Sequence, residues 1–238
     1  MNKEVFIREV KKLGVEINSE RLAKLEIYCE FLKEYNRHTN LTAIKEDEDI
    51  YLKHFYDSLT ILKAIDLERY QTLLDVGSGA GFPGVVLKIF YPHLLVTLID
   101  SNNKKTKFLQ ELIQKIDINI EIVNDRVENF AKHNLNKFDI VTSRAVANLR
   151  VLAEISLPLV KLSGYFVPMK GSIEKELVEA EETIELMNGK VLKVVDFDLF
   201  NNSGLRNILV IEKIKSSLIS DLRSYDKIIK KPLKNHNK

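Results

Sequence analysis

Leu73-Leu74-Asp75-Val76-Gly77-Ser78-Gly79-Ala80-Gly81-Phe82-Pro83-Gly84 places four of the chain's nine glycines inside eight residues, directly after one apolar run and directly before another. It reads as a strand, a tight glycine turn and a helix start, the cradle in which α/β enzymes hold a nucleotide-like ligand. Glycine is entropically costly in a fold, so this density implies a backbone that a ligand or a neighbouring segment approaches closely. Outward from the turn, Leu94-Leu95-Val96-Thr97-Leu98-Ile99-Asp100 is a second apolar and β-branched run that ends in a carboxylate. Asp100 lies 21 residues after Gly79. An acid at an offset of roughly 20 residues accepts hydrogen bonds from a ribose. Together the two features predict a ribose-bearing ligand.

The string Gly79-Ala80-Gly81-Phe82-Pro83-Gly84 also satisfies the dinucleotide pattern G-x-G-x-x-G, which keeps a nicotinamide cofactor open. Pro83 weighs against a pyrophosphate, because in the first helical turn its missing N–H removes a donor that a phosphate would use. S-adenosylmethionine carries no phosphate, and the motif favours it. Asp75, two residues before the first glycine, would organise donors or water near that ligand's ammonium group.

With 238 residues, 45% of them hydrophobic and 29% charged, the chain suits one well-buried α/β domain plus an extension. Its single cysteine, Cys29, excludes a disulfide framework and a cysteine-based zinc site, and its spacing assigns it to a helix's buried face. No stretch approaches the roughly 18 apolar residues of a membrane span, and Met1-Asn2-Lys3-Glu4 does not open a signal peptide, so a cytoplasmic protein is expected; separately, a monomer is expected. The net charge of +2 hides an asymmetry: residues 213–238 hold seven lysines and Arg223 against Asp221 and Asp226, a local +6, leaving the first 212 residues at −4. Such a tail suits phosphate contact, with Asn235-His236-Asn237-Lys238 expected to fray.

The pattern predicts three parts: a helical extension over 1–70, a sheet domain over 71–213 and a basic tail over 214–238. In the first, Leu22, Leu25, Cys29, Leu32 and Tyr35 recur at helical spacing. Asn36-Arg37-His38-Thr39-Asn40 is expected to break that helix, and the acidic run Glu46-Asp47-Glu48-Asp49 to open the next. Beyond residue 70, strands are predicted near 72–76, 95–99, 119–123, 138–143, 164–169, 190–197 and 206–213. Helices are predicted near 84–90, 103–115, 127–132, 148–161 and 173–187. This alternation gives a mostly parallel sheet covered on both faces. Only Phe200-Asn201-Asn202-Ser203-Gly204 separates the last two strands, which predicts an antiparallel pair.

Three further clusters carry chemistry at strand ends, where ligands of open α/β sheets bind. Arg126-Val127-Glu128 follows the third strand, and an acid or amide there reaches an adenine edge; an ordinary helix start is the alternative. Arg144 ends the fourth strand and needs an anionic or acceptor partner, either a ligand or a structural salt bridge. Lys170, before Gly171, ends the fifth as a substrate-binding or a solvated cation. The histidines His38, His54, His93 and His133 show no metal-ligand spacing, so no metal is expected, and the nucleophile-and-base sets of hydrolases are missing.

These pieces resemble the ribosomal RNA small subunit methyltransferase G family, also called glucose-inhibited division protein B, over nearly the whole chain. The carriers are Asn40-Leu41-Thr42-Ala43-Ile44, His54-Phe55-Tyr56-Asp57-Ser58-Leu59, the glycine turn with its Phe82-Pro83-Gly84, Asp100 with Lys104-Lys105 and Phe108-Leu109, Arg126-Val127-Glu128, Ser143-Arg144-Ala145 and Lys170-Gly171. The resemblance implies a Rossmann-like S-adenosylmethionine-dependent methyltransferase fold, with a seven-stranded sheet whose last strand is antiparallel. It also implies methyl transfer to N7 of a guanosine in the decoding-site loop of bacterial 16S rRNA, on naked rRNA or the small ribosomal subunit. Carried over by position, Gly77, Phe82, Val127, Glu128 and Arg144 would bind the cofactor, joining Asp75, Gly79, Gly81 and Asp100 from the residue reading. The tail departs from the family's pattern over Asp221-Leu222-Arg223-Ser224-Tyr225-Asp226, although Arg223 keeps its place.

The absence of a general base agrees with this chemistry, because guanine N7 bears a lone pair and no proton. Catalysis is then alignment, with Arg144 and Lys170 as positioning cations at the acceptor base. Lys104, Lys105, Lys107, Arg223, Lys230 and Lys231 are the candidate RNA contacts. Two rivals stand beside this reading: a nicotinamide-dependent oxidoreductase, and a non-catalytic RNA-binding assembly factor on a methyltransferase fold.

Overall fold

The structure, a computed structural model, describes residues 1–233. Asn2 opens helix α1 (Lys3–Lys12) by accepting from Val5 N–H, and Asn18 opens α2 (Ser19–Thr39) by accepting from Arg21 N–H. In α2 the buried face is Leu25, Tyr28, Cys29, Phe31 and Leu32, while Leu22 and Tyr35 are half-buried. The predicted break over 36–40 falls at the far end of that stretch. Asn36 is buried, donates to Thr42 O and accepts from Thr42 N–H, so the helix runs to Thr39 and stops at Asn40, whose φ of +50° is left-handed.

The acidic run opens the following helix as expected. It runs from α3 (Asp47–Ile50) through six residues of π helix, Tyr51–Tyr56, into α4 (Asp57–Leu59). From there strands and helices alternate: β1 (Thr72–Val76), α5 (Gly84–Phe90), β2 (Leu95–Ile99), α6 (Asn103–Lys115), β3 (Glu121–Val123), α7 (Val127–Phe130), β4 (Phe138–Arg144), α8 (Leu149–Ser156), β5 (Val160–Lys170), α9 (Glu174–Leu186), β6 (Gly189–Asp198), β7 (Leu205–Lys213) and α10 (Tyr225–Lys230). The predicted helix 148–161 is cut short because Pro158, which lacks an N–H, ends it and frees Val160 to start β5 early.

The sheet order is β3-β2-β1-β4-β5-β7-β6, parallel except for β7, which runs antiparallel to both β5 and β6. The expected antiparallel ending is present, and the fold is that of the Rossmann-like methyltransferases. Alternation along the strands feeds two cores. Leu73, Leu98, Ile140 and Val167 pack under the N-terminal helices, α5 and α6, while Leu74, Val76, Ile99, Val141 and Phe166 pack under α8 and α9. Residues 1–70 therefore share a core with the sheet, and they deliver side chains to its ligand-binding edge.

Candidate functional site

The glycine turn lies at the C-terminal end of β1, between the tips of β2 and β4. Gly77 has a φ of +68°, and a Cβ there would sit 2.6 Å from Val146 Cγ2, so a side chain would collide with the loop after β4. Gly79 is also left-handed, at φ +59°, but faces open space. Six N–H groups of the turn already donate inside the protein: Gly77 and Ser78 to Ile99 O, Gly81 and Phe82 to Ser78 O, Gly79 to Asp100 Oδ2 and Gly84 to Asp75 Oδ2. Pro83, just before α5, has none to give. A pyrophosphate needs such donors free, so this turn is unsuited to a dinucleotide.

Asp75 therefore does not face the ligand. It is fully buried beneath the turn, one oxygen holding Gly84 N–H at 2.8 Å and the other, Oδ1, without a hydrogen-bond partner among the described residues. Burial pushes its pKa up to about 7, against the opposing pull of the Gly84 N–H and the Arg144 charge. Its role is to fix the entry of α5, which corrects the expectation of an ammonium contact.

Beside the turn, a cavity of about 340 Å³ is lined by Val76, Gly77, Ile99, Asp100, Lys105, Asp125 to Glu128, Ala145, Val146, Ile155 and Tyr225. Asp100 accepts from Gly79 N–H at 3.0 Å and Asn102 N–H at 2.9 Å, with Lys105 Nζ at 3.5 Å. Two carboxylate oxygens offer about four acceptor positions, so capacity for hydroxyl groups remains. Glu128 is paired with Arg126, whose guanidinium lies 4.3 Å from the centre of the Tyr225 ring.

A second cavity, about 390 Å³, adjoins the first, and Ala145 lines both. Its walls are Ile44, Lys53, His54, Asp57, Arg144, Met169, Lys170, Gly171 and Arg206, four cations against one carboxylate. Asp57 organises it: Oδ2 accepts from Arg144 at 2.9 Å and Oδ1 from Arg206 at 2.9 Å. Arg144 also donates to Lys53 O at 2.7 Å and to His54 Nδ1 at 3.1 Å. Arginine only donates, so Nδ1 is an acceptor and the ring proton sits on Nε2, which donates to Thr42 Oγ1 at 2.9 Å. Burial, then the Arg144 charge, lowers the His54 pKa to about 3 and keeps the ring neutral. The π-helical turn carries His54 to this edge and leads directly into Asp57 at the start of α4, and Phe82 stacks between Tyr28 and His54 at centroid distances of 5.1 and 4.3 Å.

The chain matches the family model for rRNA small subunit methyltransferase G over residues 21–203. It is 44% identical over 232 residues to ribosomal RNA small subunit methyltransferase G of Lachnoclostridium phytofermentans, covering 96% of each chain. It is 42% identical over 221 residues to that of Bacillus velezensis, covering 91% of this chain and 92% of the relative. The chain belongs to the rRNA small subunit methyltransferase G family. Its fold is similar to that of a SAM-dependent methyltransferase from Aquifex aeolicus, with a TM-score of 0.52 and 18% identity over 73% of this chain and 97% of the other. It is also similar to the fibrillarin pre-rRNA processing protein of Methanococcus jannaschii, with a TM-score of 0.51 and 17% identity over 66% and 74%.

For this family member the cofactor is S-adenosylmethionine, and the first cavity fits it: any Cβ on Gly77 would push Val146 out of place at its wall, acceptors sit at Asp100, Asp125 and Glu128, and Val76, Ile99, Val127 and Ile155 supply apolar surface between them. Gly77, Asp100, Val127 and Glu128 are gathered there as the sequence reading supposed. Gly79, Gly81 and Phe82 do not line it. Phe82 is 5% exposed and packs the N-terminal helices to the turn, and Gly81 sits under the Tyr28 hydroxyl. Arg144 lines the second cavity rather than the first, held in a salt bridge. Lys170 lines it too, with Nζ donating to Ala147 O at 2.7 Å and paired with Glu176 at 2.8 Å.

The tail needs correction as well. Arg223 is committed to Glu154, a buried carboxylate on α8, and to Lys231 O, so it is a structural residue. Lys213, counted in the tail's charge, is buried in β7, donating to Met187 O and Ser217 Oγ at 2.6 Å each, and burial lowers its pKa to about 8. Lys104, Lys107, Lys230 and Lys231 are exposed, while Lys105 is drawn toward Asp100. The expected fraying of 235–238 lies outside the described residues. His54, Asp57 and Arg206 were not among the predicted site residues. His54 and Asp57, three apart in one helical motif, offered a signal; Arg206, 149 residues from Asp57, offered none. Among the described residues no helix is long and apolar enough to cross a membrane, and no cluster of His, Cys, Asp and Glu is arranged for a metal.

Proposed function

We propose that this chain methylates N7 of one guanosine in the decoding-site loop of bacterial small-subunit rRNA, acting in the cytoplasm as a monomer. One observation carries the reading: an acceptor-rich cavity beside the glycine turn and a cationic cavity beside it meet at Ala145. S-adenosylmethionine supplies an electrophilic methyl group when bound. Asp100 and Glu128 would hold its hydroxyl and base edges, and Gly77 would admit it. On the acceptor side, Arg144 retains donors beyond its three partners and Lys170 retains one N–H, so both can reach the O6 and phosphate oxygens of a guanosine. No residue need accept a proton, because N7 carries none. His54 is held neutral by burial, and its accepting nitrogen steers Arg144.

The base must leave its stack or lie in a loop to enter a pocket of this kind. Lys104, Lys107, Lys230 and Lys231 would track the flanking phosphates, with Lys53 and Arg206 at the pocket itself. The test is incubation with radiolabelled S-adenosylmethionine and small subunits or naked rRNA, followed by mapping of the labelled nucleotide. Label at one loop guanosine, lost on N7-specific cleavage chemistry, is the expected result. Tight cofactor binding with no label in either RNA would favour the assembly-factor role.

A further inference from the structure

The segment after β7 returns to the edge of the sheet where the cofactor cavity opens. It is tied down at four points. Asn136 donates from Nδ2 to Ser217 O at 3.0 Å and accepts from Ser217 N–H at 2.9 Å. Arg223 grips the buried Glu154 with two nitrogens. Arg150 donates to Ile228 O at 2.9 Å, and the Ile228 side chain is 2% exposed in the second core. These ties fix Tyr225 between two cavities: the cofactor cavity on one side and a groove of about 590 Å³ on the other, with Arg126, Glu128 and Tyr225 lining both.

The ring is half-buried against the second core, and the Arg126 guanidinium lies 4.3 Å from its centre. Arg126 is in turn held by Glu128. This side chain stands at the β3 end of the cavity, beyond the ribose-facing Asp100 at the end of β2. The cavity runs on from Asp100 to Asp125–Glu128 and Tyr225, so a nucleoside that sets its ribose on Asp100 has room for its base on that side.

We propose that Tyr225 forms the outer wall of the cofactor's nucleobase subsite, so that the C-terminal segment belongs to the cofactor site as well as to any RNA-facing surface. This rests on the methyl-donor reading of the cavity. An aromatic face suits a purine, and its ring is pre-positioned by the Arg126 contact and by the Arg223–Glu154 anchor.

The experiment is titration calorimetry of the full chain with S-adenosylhomocysteine and with methylthioadenosine, which keeps the nucleoside and lacks the amino-acid end. Tyr225→Phe keeps the ring and should bind both within about twofold of wild type. Tyr225→Leu keeps bulk but not the π face and should weaken both by about tenfold, the worth of one stacked base, while the ligand-free melting temperature stays unchanged. Unaltered affinity in Tyr225→Leu, or a loss for S-adenosylhomocysteine without one for methylthioadenosine, overturns the inference. Wild type that binds neither ligand would instead sink the methyl-donor reading. A measurement on wild type guards against misfolded variants: saturating S-adenosylhomocysteine should slow tryptic cleavage after Lys227 and Lys230, and equal rates also overturn the inference.

Discussion

Acidification gives the sharpest check on the network around Arg144. His54 titrates near 6.5 in an unfolded chain but near 3 in the fold, where burial and the Arg144 charge oppose its protonation. Between those values the unfolded chain binds a proton that the native ring refuses, so stability falls as pH drops below about 6.5 and is unaffected above it. Going from pH 7.5 to 5.0 should cost about 2 kcal/mol from this group alone, or roughly 4–8 °C in melting temperature for a chain of this size. Asp75 acts in the opposite sense: its pKa, raised to about 7, makes the native state retain a proton, so its contribution improves on acidification.

A variant is therefore needed to isolate His54. His54→Asn keeps an acceptor toward Arg144 and loses the Phe82 stack and the Thr42 bond, a cost common to both pH values. Thermal melts at pH 7.5 and 5.0 for both proteins yield the difference of differences. The wild type should lose about 4–8 °C more than the variant on acidification. Equal losses would mean that the ring is not held neutral, and the assigned tautomer and the Arg144 contact would fall with it.

Asp57→Ala leaves Arg144 and Arg206 without their shared carboxylate; breaking a buried pair costs about 3–5 kcal/mol, a cost reduced here because the two guanidinium side chains are 14% and 22% exposed. Differential scanning calorimetry should show melting lowered by at least about 5 °C, with turnover lost in the fraction still folded; a shift below the error of the melt would refute the clamp. Gly79→Val should weaken S-adenosylhomocysteine binding by calorimetry while far-ultraviolet circular dichroism stays native, because its left-handed φ of +59° strains any β-branched residue and its N–H is one of the donors that orient Asp100 in the cofactor cavity. Unchanged affinity in a folded variant would remove the turn from the cofactor site. Lys170→Ala should reduce kcat on small subunits at least tenfold with cofactor Kd within about twofold, and parallel losses of both would move Lys170 to the cofactor side.

Much of the fold was legible because its signals are local. The glycine turn, the apolar runs that end in Asp75 and Asp100, and the helical spacing of Leu25, Cys29 and Leu32 each depend on neighbours within a few residues. The missed details share one cause, which is competition from distant partners. The helix ends inside the expected stretch but at Asn40 rather than Asn36, because Thr42 satisfies the Asn36 amide from outside the helix. Asp75 was read as ligand-facing, but Gly84 N–H folds back onto it. Arg223 looked like a phosphate contact until Glu154 on α8 claimed it.

The sequence by itself determined the alternating α/β order, the turn that admits a ribose-bearing ligand and, through Pro83 and Phe82, the resemblance that names the reaction. Only the tertiary structure decided how the acceptor pocket is built. Asp57 binds Arg144 and Arg206 from positions 87 and 149 residues away, His54 is neutralised by burial, and Tyr225 reaches the cofactor cavity from beyond the last strand. No local spacing encodes such pairings, because charges and hydrogen bonds answer to distance in space. In this chain the packing of the N-terminal helices and the tail against the sheet sets those distances.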